Sequence, residues 1–306
     1  MVPEVKVNVL MSTYNGEKYL REQLESLLAQ SYKNIHISVR DDGSTDNTVH
    51  ILKEYESKYP FIRVAYGENL GVIESFFRLL ADTEGDFDYF AFCDQDDMWL
   101  PDKIKDAVGE INREDGYQPI LYCSRVEFVD ENMNPMGLSR IPRRIGFGNA
   151  LVENIAIGCT IVINRKTRDM ILATKPGRII MHDWWCYLIA SALGKVFHGK
   201  TVNIKYRQHA GNVIGGTSSF LLSVYRRTRE FLNSGKDAFR VRDQAIEFLR
   251  CYGHLLDDTN SRILRRFIES KNTFSSRLQY SLDMDVWRQS SMDTNILRAL
   301  ILLGYY

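Results

Sequence analysis

Cysteine is scarce and unorganised: five residues (Cys93, Cys123, Cys159, Cys186 and Cys251) lie far apart, with no CxxC pair. That spacing excludes a disulfide framework and a structural zinc site, both of which need clustered thiols. An excess of one charge is also missing. Thirty-nine Lys and Arg balance 39 Asp and Glu, for a formal net charge of zero. A broad surface that displaces counterions from phosphate backbones is not to be expected, and nucleic acid is not an expected partner. No run reaches the ~20 apolar residues that span a bilayer. The opening MVPEVKVNVLMSTYNG carries Glu4 before a short apolar run and does not read as a signal peptide. These absences point to a reduced, cytoplasmic chain, soluble or peripheral to the inner face of the cell membrane.

What is present is the mix of a globular protein. Of 306 residues, 44% are hydrophobic and 25% charged, enough apolar surface to offset the entropy of the chain. Helical and strand patterns alternate through the first half. Residues 6–11 form a short apolar run, and 17–30 carry Leu20, Leu24, Leu27 and Leu28 at helical spacing. Residues 35–40 read as a strand, 45–58 as a helix opened by Ser44 or Thr45 as cap, 61–65 as a strand and 72–81 as a helix. YFAFC at 89–93 reads as a buried strand. Such alternation builds βαβ units and a mostly parallel sheet, with ligands beyond the carboxyl ends of the strands.

Polar and acidic residues collect just there: STYNG after the first strand, DDGS after the second, DQDD after the fourth. Each alone is an ordinary turn or cap composition; three on one sheet edge describe a site. Asp94 and Asp96, two apart at a strand end, can converge on a hard divalent cation, with phosphate oxygens completing its shell. The plain alternative is a solvated acidic cap ahead of LPDK, a description that also fits Asp102. Further on, strands at 120–123 and 155–163 precede a helix from Asp183, and Pro, Gly, Arg140, Arg143 and Arg144 between 135 and 148 suggest a flexible basic loop over the site. From 218 only helical patterns remain. That stretch holds fourteen basic and ten acidic residues, with Arg226, Arg227, Arg229, Lys236, Arg240 and Arg242 interleaved with Phe231, Leu232, Phe239 and Phe248. It suits either an anionic membrane surface or packing on protein, a homodimer partner included.

STYNG, DDGSTDNT, ENLG, FAFCDQDDMWLPDKI and HDWW follow one another in the order of glycosyltransferase family 2, and the chain resembles that family over residues 5–212. GCTIVINR, HDWW and YRQH bring it nearest to the bacterial rhamnosyltransferase branch that builds surface polysaccharides. The resemblance implies the GT-A nucleotide-sugar fold, a catalytic domain over 1–217 and a helical region over 218–306. It implies Ser12, Thr13, Tyr14 and Asn15 bordering the nucleoside, and Asp42 accepting the N3–H of uracil or thymine, which a carboxylate suits because it only accepts. Asn69 would lead into the diphosphate site, Asp94 would touch the ribose or a metal-bound water, and Arg207 would face the diphosphate or form an ordinary salt bridge. The metal, Mn²⁺ or Mg²⁺, would rest on Asp96, with Asp97 in support and His209 completing the shell or hydrogen-bonding the pyrophosphate. Asp183 would be the base, with His182, Trp184 and Trp185 beside it; for Trp185 the competing role is core. Gly158, Cys159 and Thr160 would line the acceptor side. Glu74-Ser75 departs from the branch, which often has Asn there.

Together these describe an inverting, metal-dependent transferase moving L-rhamnose from dTDP-rhamnose to a growing, lipid-linked glycan. A UDP-hexose donor is the alternative. A nucleotidyltransferase fits less well because STYNGEK lacks repeated glycines, and a non-catalytic binding module does not need Asp96 and Asp183.

Overall fold

The computed structural model describes residues 5–114, 116–209 and 237–305. Two compact units emerge. The first takes Met1–Ile141, Ala156–Ala173 and Phe197–Gly216; the second takes Pro142–Ile155, Thr174–Val196 and Thr217–Tyr306. The C-terminal helices thus share a unit with two earlier stretches of chain.

Through the first 138 residues the order is β1 (Val7–Thr13), α1 (Leu20–Leu28), β2 (Ile35–Asp41), α2 (Thr48–Lys58), β3 (Ile62–Tyr66), α3 (Val72–Asp82), β4 (Tyr89–Cys93), β5 (Met98–Trp99), α4 (Lys103–Ile111), β6 (Ile120–Val129) and β7 (Pro135–Leu138). Then come α5 (Phe147–Ala150), β8 (Val162–Asn164), α6 (Arg165–Thr174), α7 (His182–Leu193) and β9 (Lys195–Arg207). The last helices are α8 (Asp237–Tyr252), α9 (Asp258–Glu269), α10 (Phe274–Leu282) and α11 (Ser291–Leu303).

The first unit is built on one mixed sheet of order β3-β2-β1-β4-β8-β6-β9-β5, with β7 beside β6. Strands β3, β2, β1 and β4 run parallel. From β8 onward pairing is antiparallel. Val7, Val9 and Met11 on one face of β1 and Leu10 on the other are all fully buried, as continuous apolar strands covered on both faces must be. Leu20, Leu24 and Leu27 of α1 recur at helical spacing and enter the same core as Ile37, Val39 and Ile104.

Several local expectations yield to side-chain hydrogen bonds. α2 begins at Thr48 after Asn47, with no side-chain cap; Ser44 is occupied elsewhere, donating to Asp41 Oδ1 at 2.6 Å. The run expected as a strand over 155–163 turns through a 3₁₀ segment at Gly158–Thr160 before β8. There Thr160 Oγ1 bonds back to the Ile157 carbonyl at 2.7 Å, a local alternative to a strand ladder. Nor is 135–148 a free loop: 135–138 pairs with β6, and 147–150 is helical.

In the second unit, Gln289 Oε1 accepts from the amides of Arg143 and Arg144, and the Arg144 guanidinium lies 3.7 Å over the Trp287 ring. Trp185 is fully buried against Phe248 and Tyr252, at centroid distances of 5.5 and 5.9 Å. Phe248 is therefore a core residue and not an interfacial aromatic. Arg226, Arg227, Arg229, Phe231, Leu232 and Lys236 fall outside the described residues, as do the side chains of Phe239 and Arg240.

Two glycines test this packing in opposite directions. A Cβ on Gly109, exposed in α4, meets nothing within 4 Å. Gly109→Ala should therefore raise the unfolding free energy by about 0.5–1 kcal/mol in urea denaturation. A Cβ on Gly148 would stand 2.2 Å from the Asp285 carbonyl and 2.5 Å from the Trp287 ring; Gly148→Ala should cost about 1–3 kcal/mol in the same measurement.

Candidate functional site

At the carboxyl edge of the parallel strands the ladder stops, and the chain is held by side chains. Thr13 Oγ1 donates to Asp41 Oδ1 at 3.1 Å, and Ser12 and Ser75 share a hydrogen bond of 2.7 Å. Asn15, at φ 48°, uses the left-handed region that Asn tolerates. Its amide donates to Ser44 Oγ at 2.9 Å, and its Oδ1 accepts from the Thr45 amide at 2.8 Å. Between these tied residues Tyr14 stands 48% exposed, an aromatic face free for a planar ligand.

Asp42 turns inward. Its carboxylate pairs with Arg40 and accepts the amides of Leu70 at 3.0 Å and Gly71 at 2.8 Å. This makes it the anchor of the turn at 67–71, where Gly71 has φ 81° and Asn69 Oδ1 receives the Gly71 amide at 3.1 Å. The contact with pyrimidine N3–H expected of Asp42 therefore meets acceptors already in use. An arginine in the apolar run ISVRDD was the available sign of such an internal pair.

The acidic loop follows β4. Asp96 Oδ2 lies 2.8 Å from His209 Nε2, so the structure brings these two expected metal ligands together. Asp97 is buried, accepts the Arg207 amide on Oδ1 at 3.1 Å, and has its carboxyl held well above the usual range by burial and then by Asp96 and Asp94. Ligand atoms of Asp94, Asp97 and Cys159 lie within 4.8 Å of one another. Carboxylate oxygens beside an imidazole nitrogen suit a hard or borderline divalent cation, and accumulated like charge favours one. Cys159 is fully buried and its thiol is pushed up by burial and by Asp97 and Asp94, so it packs beneath the acidic loop as a protonated thiol. Gly158 and buried Thr160 flank it.

Arg207 also turns inward. It is 2% exposed, donates from Nε to the Asp96 carbonyl at 2.9 Å and from Nη1 to the Glu131 carbonyl at 2.9 Å, pairs with Glu22, and lies 4.4 Å over the Tyr19 ring. Its charge fixes the loop that bears Asp96, so of its two expected roles the structure shows the salt bridge. Lys103, which the sequence hides inside LPDKI, is fully buried with Nζ 3.6 Å over the Trp99 ring.

In the second unit, Asp183 is the second residue of α7 and its Oδ1 accepts from the Trp184 amide at 2.6 Å. The helix starts at His182, one residue earlier than expected. His182 is buried and pushed down to about 3 by burial, which keeps its imidazole neutral. Trp184 is half-buried, with its indole N–H fixed on the Ala150 carbonyl at 2.6 Å; Trp185 is core.

A parallel half-sheet carrying an acidic loop after its fourth strand, continued by antiparallel strands, is the frame of a GT-A glycosyltransferase. Residues 8–174 match the sequence profile of Glycosyl transferase family 2, and the chain belongs to that family. It is similar to the dTDP-rhamnosyl transferase RfbG of Shigella flexneri, 33% identical over 69% of this chain and 75% of the relative. An uncharacterized glycosyltransferase of Rickettsia typhi, RT0329, is 28% identical over 66% of this chain and 64% of its own. Among solved structures, S. aureus TarS 1-349 in complex with UDP-GlcNAc superposes with a TM-score of 0.61 at 18% identity, over 98% of this chain and 81% of that one. The mannosyltransferase PcManGT of Pyrobaculum calidifontis, with GDP-Man and Mn²⁺, gives 0.51 at 14% identity, over 99% and 88%.

Lys103 generates a prediction. Burial lowers its pKa from 10.5 to about 8, against the pull of Cys93, Cys159 and Asp97. Between those two pH values the unfolded chain binds more protons than the folded one, so the stability contributed by this group rises with pH, by up to about 3 kcal/mol. Unfolding free energies measured at pH 7.5 and 10 should show a rise in the wild type that Lys103→Met loses. Parallel curves for the two proteins would contradict the assignment.

Proposed function

We propose that the chain is an inverting glycosyltransferase that moves L-rhamnose from dTDP-rhamnose to a hydroxyl of a growing, lipid-linked surface glycan. The observation that carries the transfer chemistry is the Asp96–His209 pair beside Asp94 at the end of β4. The donor rests on similarity to RfbG; a UDP-hexose would use the same nucleoside contacts. Ser12, Thr13, Tyr14 and Asn15 hold the nucleoside, with the exposed ring of Tyr14 against the base. Asn69 and Asp94 face the diphosphate.

Asp96 and His209 would hold Mn²⁺ or Mg²⁺. Such a cation offsets the negative charge that grows on a departing diphosphate. The carboxylate of Asp183 takes the proton of the acceptor hydroxyl as its oxygen bonds to the anomeric carbon; the bond from that carbon to the diphosphate oxygen breaks, and configuration inverts. The Trp184 amide orients the base, and the indole of Trp184, fixed on the Ala150 carbonyl, offers the acceptor sugar a flat surface.

Contact with an anionic membrane is part of the same proposal. α10 leaves Phe274, Leu278 and Leu282 exposed four residues apart, and α11 leaves Met292, Ile296 and Leu303 exposed, with Arg277 and Arg298 on the same helices. No helix of the described residues is long and apolar enough to cross a membrane.

Purified protein incubated with a panel of nucleotide sugars and Mn²⁺ tests the donor: dTDP-rhamnose should be consumed fastest. Asp183→Asn should cut transfer by about 10²–10⁴-fold, the range of general-base catalysis, while dTDP affinity by calorimetry stays within about twofold. Asp96→Ala should lose both activity and the effect of EDTA. Full activity in excess EDTA contradicts the metal site. In flotation with anionic vesicles at low salt, Leu278→Glu combined with Ile296→Glu should lower the bound fraction about threefold or more. A wild type that stays unbound and dimerises through this face assigns it to a second copy.

A further inference from the structure

One side chain joins the loop after β1 to the loop after β4. Gln95 Oε1 accepts the amide of Tyr14 at 2.8 Å, and Gln95 Nε2 donates to the carbonyl of the same Tyr14 at 3.0 Å. A carboxamide that answers both polar groups of one residue fixes rotation as well as distance. Glutamate keeps only the accepting half and adds a charge beside Asp94, Asp96 and Asp97; asparagine is one methylene short.

The neighbouring backbone makes room for this amide. A Cβ on Gly16 would lie 2.3 Å from Gln95 Oε1, 2.6 Å from Cδ and 3.2 Å from Nε2, and those three atoms are its nearest neighbours. Gly16 does not have a positive φ, so the requirement for glycine is space and not backbone conformation. The other bonds of this loop run to the β2 side: Asn15 to Ser44 and Thr45, and the Gly16 amide to Thr48 Oγ1 at 2.8 Å. Gln95 ties it to β4.

We infer that Gln95 is a positioning residue that holds Tyr14 in register with Asp94 and Asp96, so that the base end and the diphosphate end of a nucleotide are met at once. This rests on the reading of the edge as the donor site. A register device has a signature that a loop brace lacks. A ligand spanning both loops feels its loss in full, and a ligand that touches one loop hardly feels it.

The experiment measures binding of dTDP, UDP and thymidine to the full chain with Mn²⁺, by calorimetry and by competition for the weak nucleoside. Gln95→Ala should raise the Kd for dTDP about 10-fold, as expected for two lost neutral hydrogen bonds, and the Kd for thymidine less than about twofold. Gly16→Ala, which displaces the amide from the opposite side, should reproduce both numbers. The double variant should be no weaker than Gln95→Ala alone, because the atoms that the new Cβ meets are then gone. Gln95→Met, near-isosteric and apolar, should match Gln95→Ala; thermal melting within about 2 °C of wild type in each variant shows that the fold is retained. Equal losses for dTDP and thymidine, or losses that multiply in the double variant, overturn the inference. So does wild-type binding in every variant while Asp96→Ala binds weakly, which leaves the donor site standing. A wild type that binds neither nucleotide removes the donor site and this inference together.

Discussion

Repulsion among three carboxylates is the constraint on which the rest of this edge depends. Asp94, Asp96 and Asp97 leave a fully buried strand within four residues of one another; a pair of unit charges ~5 Å apart at an effective dielectric near 20 costs about 3 kcal/mol, and burial together with the other two carboxyl groups holds Asp97 well above the usual carboxylate range. The chain answers with two cations and an imidazole. Lys103 lies close enough to feel Asp97, Arg207 grips the backbone of the loop itself, and the His209 ring meets Asp96. Burial makes each answer effective by removing the water that would screen it, and that is why Arg207 and Lys103 are interior residues. A planar, permanently charged guanidinium suits a clamp of three fixed bonds better than an ammonium does.

Strand pairing does not reach this far. Registered pairs end at Thr13 with Asp41 and at Met11 with Cys93, and beyond them order comes from side chains bonded to main chain: Ser44 and Gln95 to the first loop, Asp42 to the turn at 67–71. Tyr14 is exposed because Asn15 and Gln95 hold its backbone.

The alternation of helix and strand was legible in the apolar spacing, and so was the edge on which the acidic, Asn-rich and Ser-rich loops gather. The Asp96–His209 pair followed from the motif order, although 113 residues separate its members. Less legible was which polar residues face inward. Asp42 and Arg207 have the chemistry of ligand contacts, and their partners Arg40, Leu70, Glu22 and Glu131 are set by tertiary packing that no local pattern encodes. The same limit explains residues 155–163, where an apolar run announces burial without announcing conformation, and Thr160 decides it with one back-bond. Phe248 looked interfacial because arginines precede it in sequence; the cavity it fills belongs to Trp185 and Tyr252.

The stack of Arg144 on Trp287, with Gly148 pressed against the same ring, bears on how such chains can exchange parts. A recombination event that swapped everything beyond residue 217 for a related tail would bring a new partner to Gly148, to the Arg143 and Arg144 amides and to Trp185, all of which stay behind. Three stretches have to move together for the second unit to remain whole. Inheritance of this unit is therefore all-or-nothing, although its pieces lie apart along the chain, and hybrids joined at a single crossover begin life with a mismatched core.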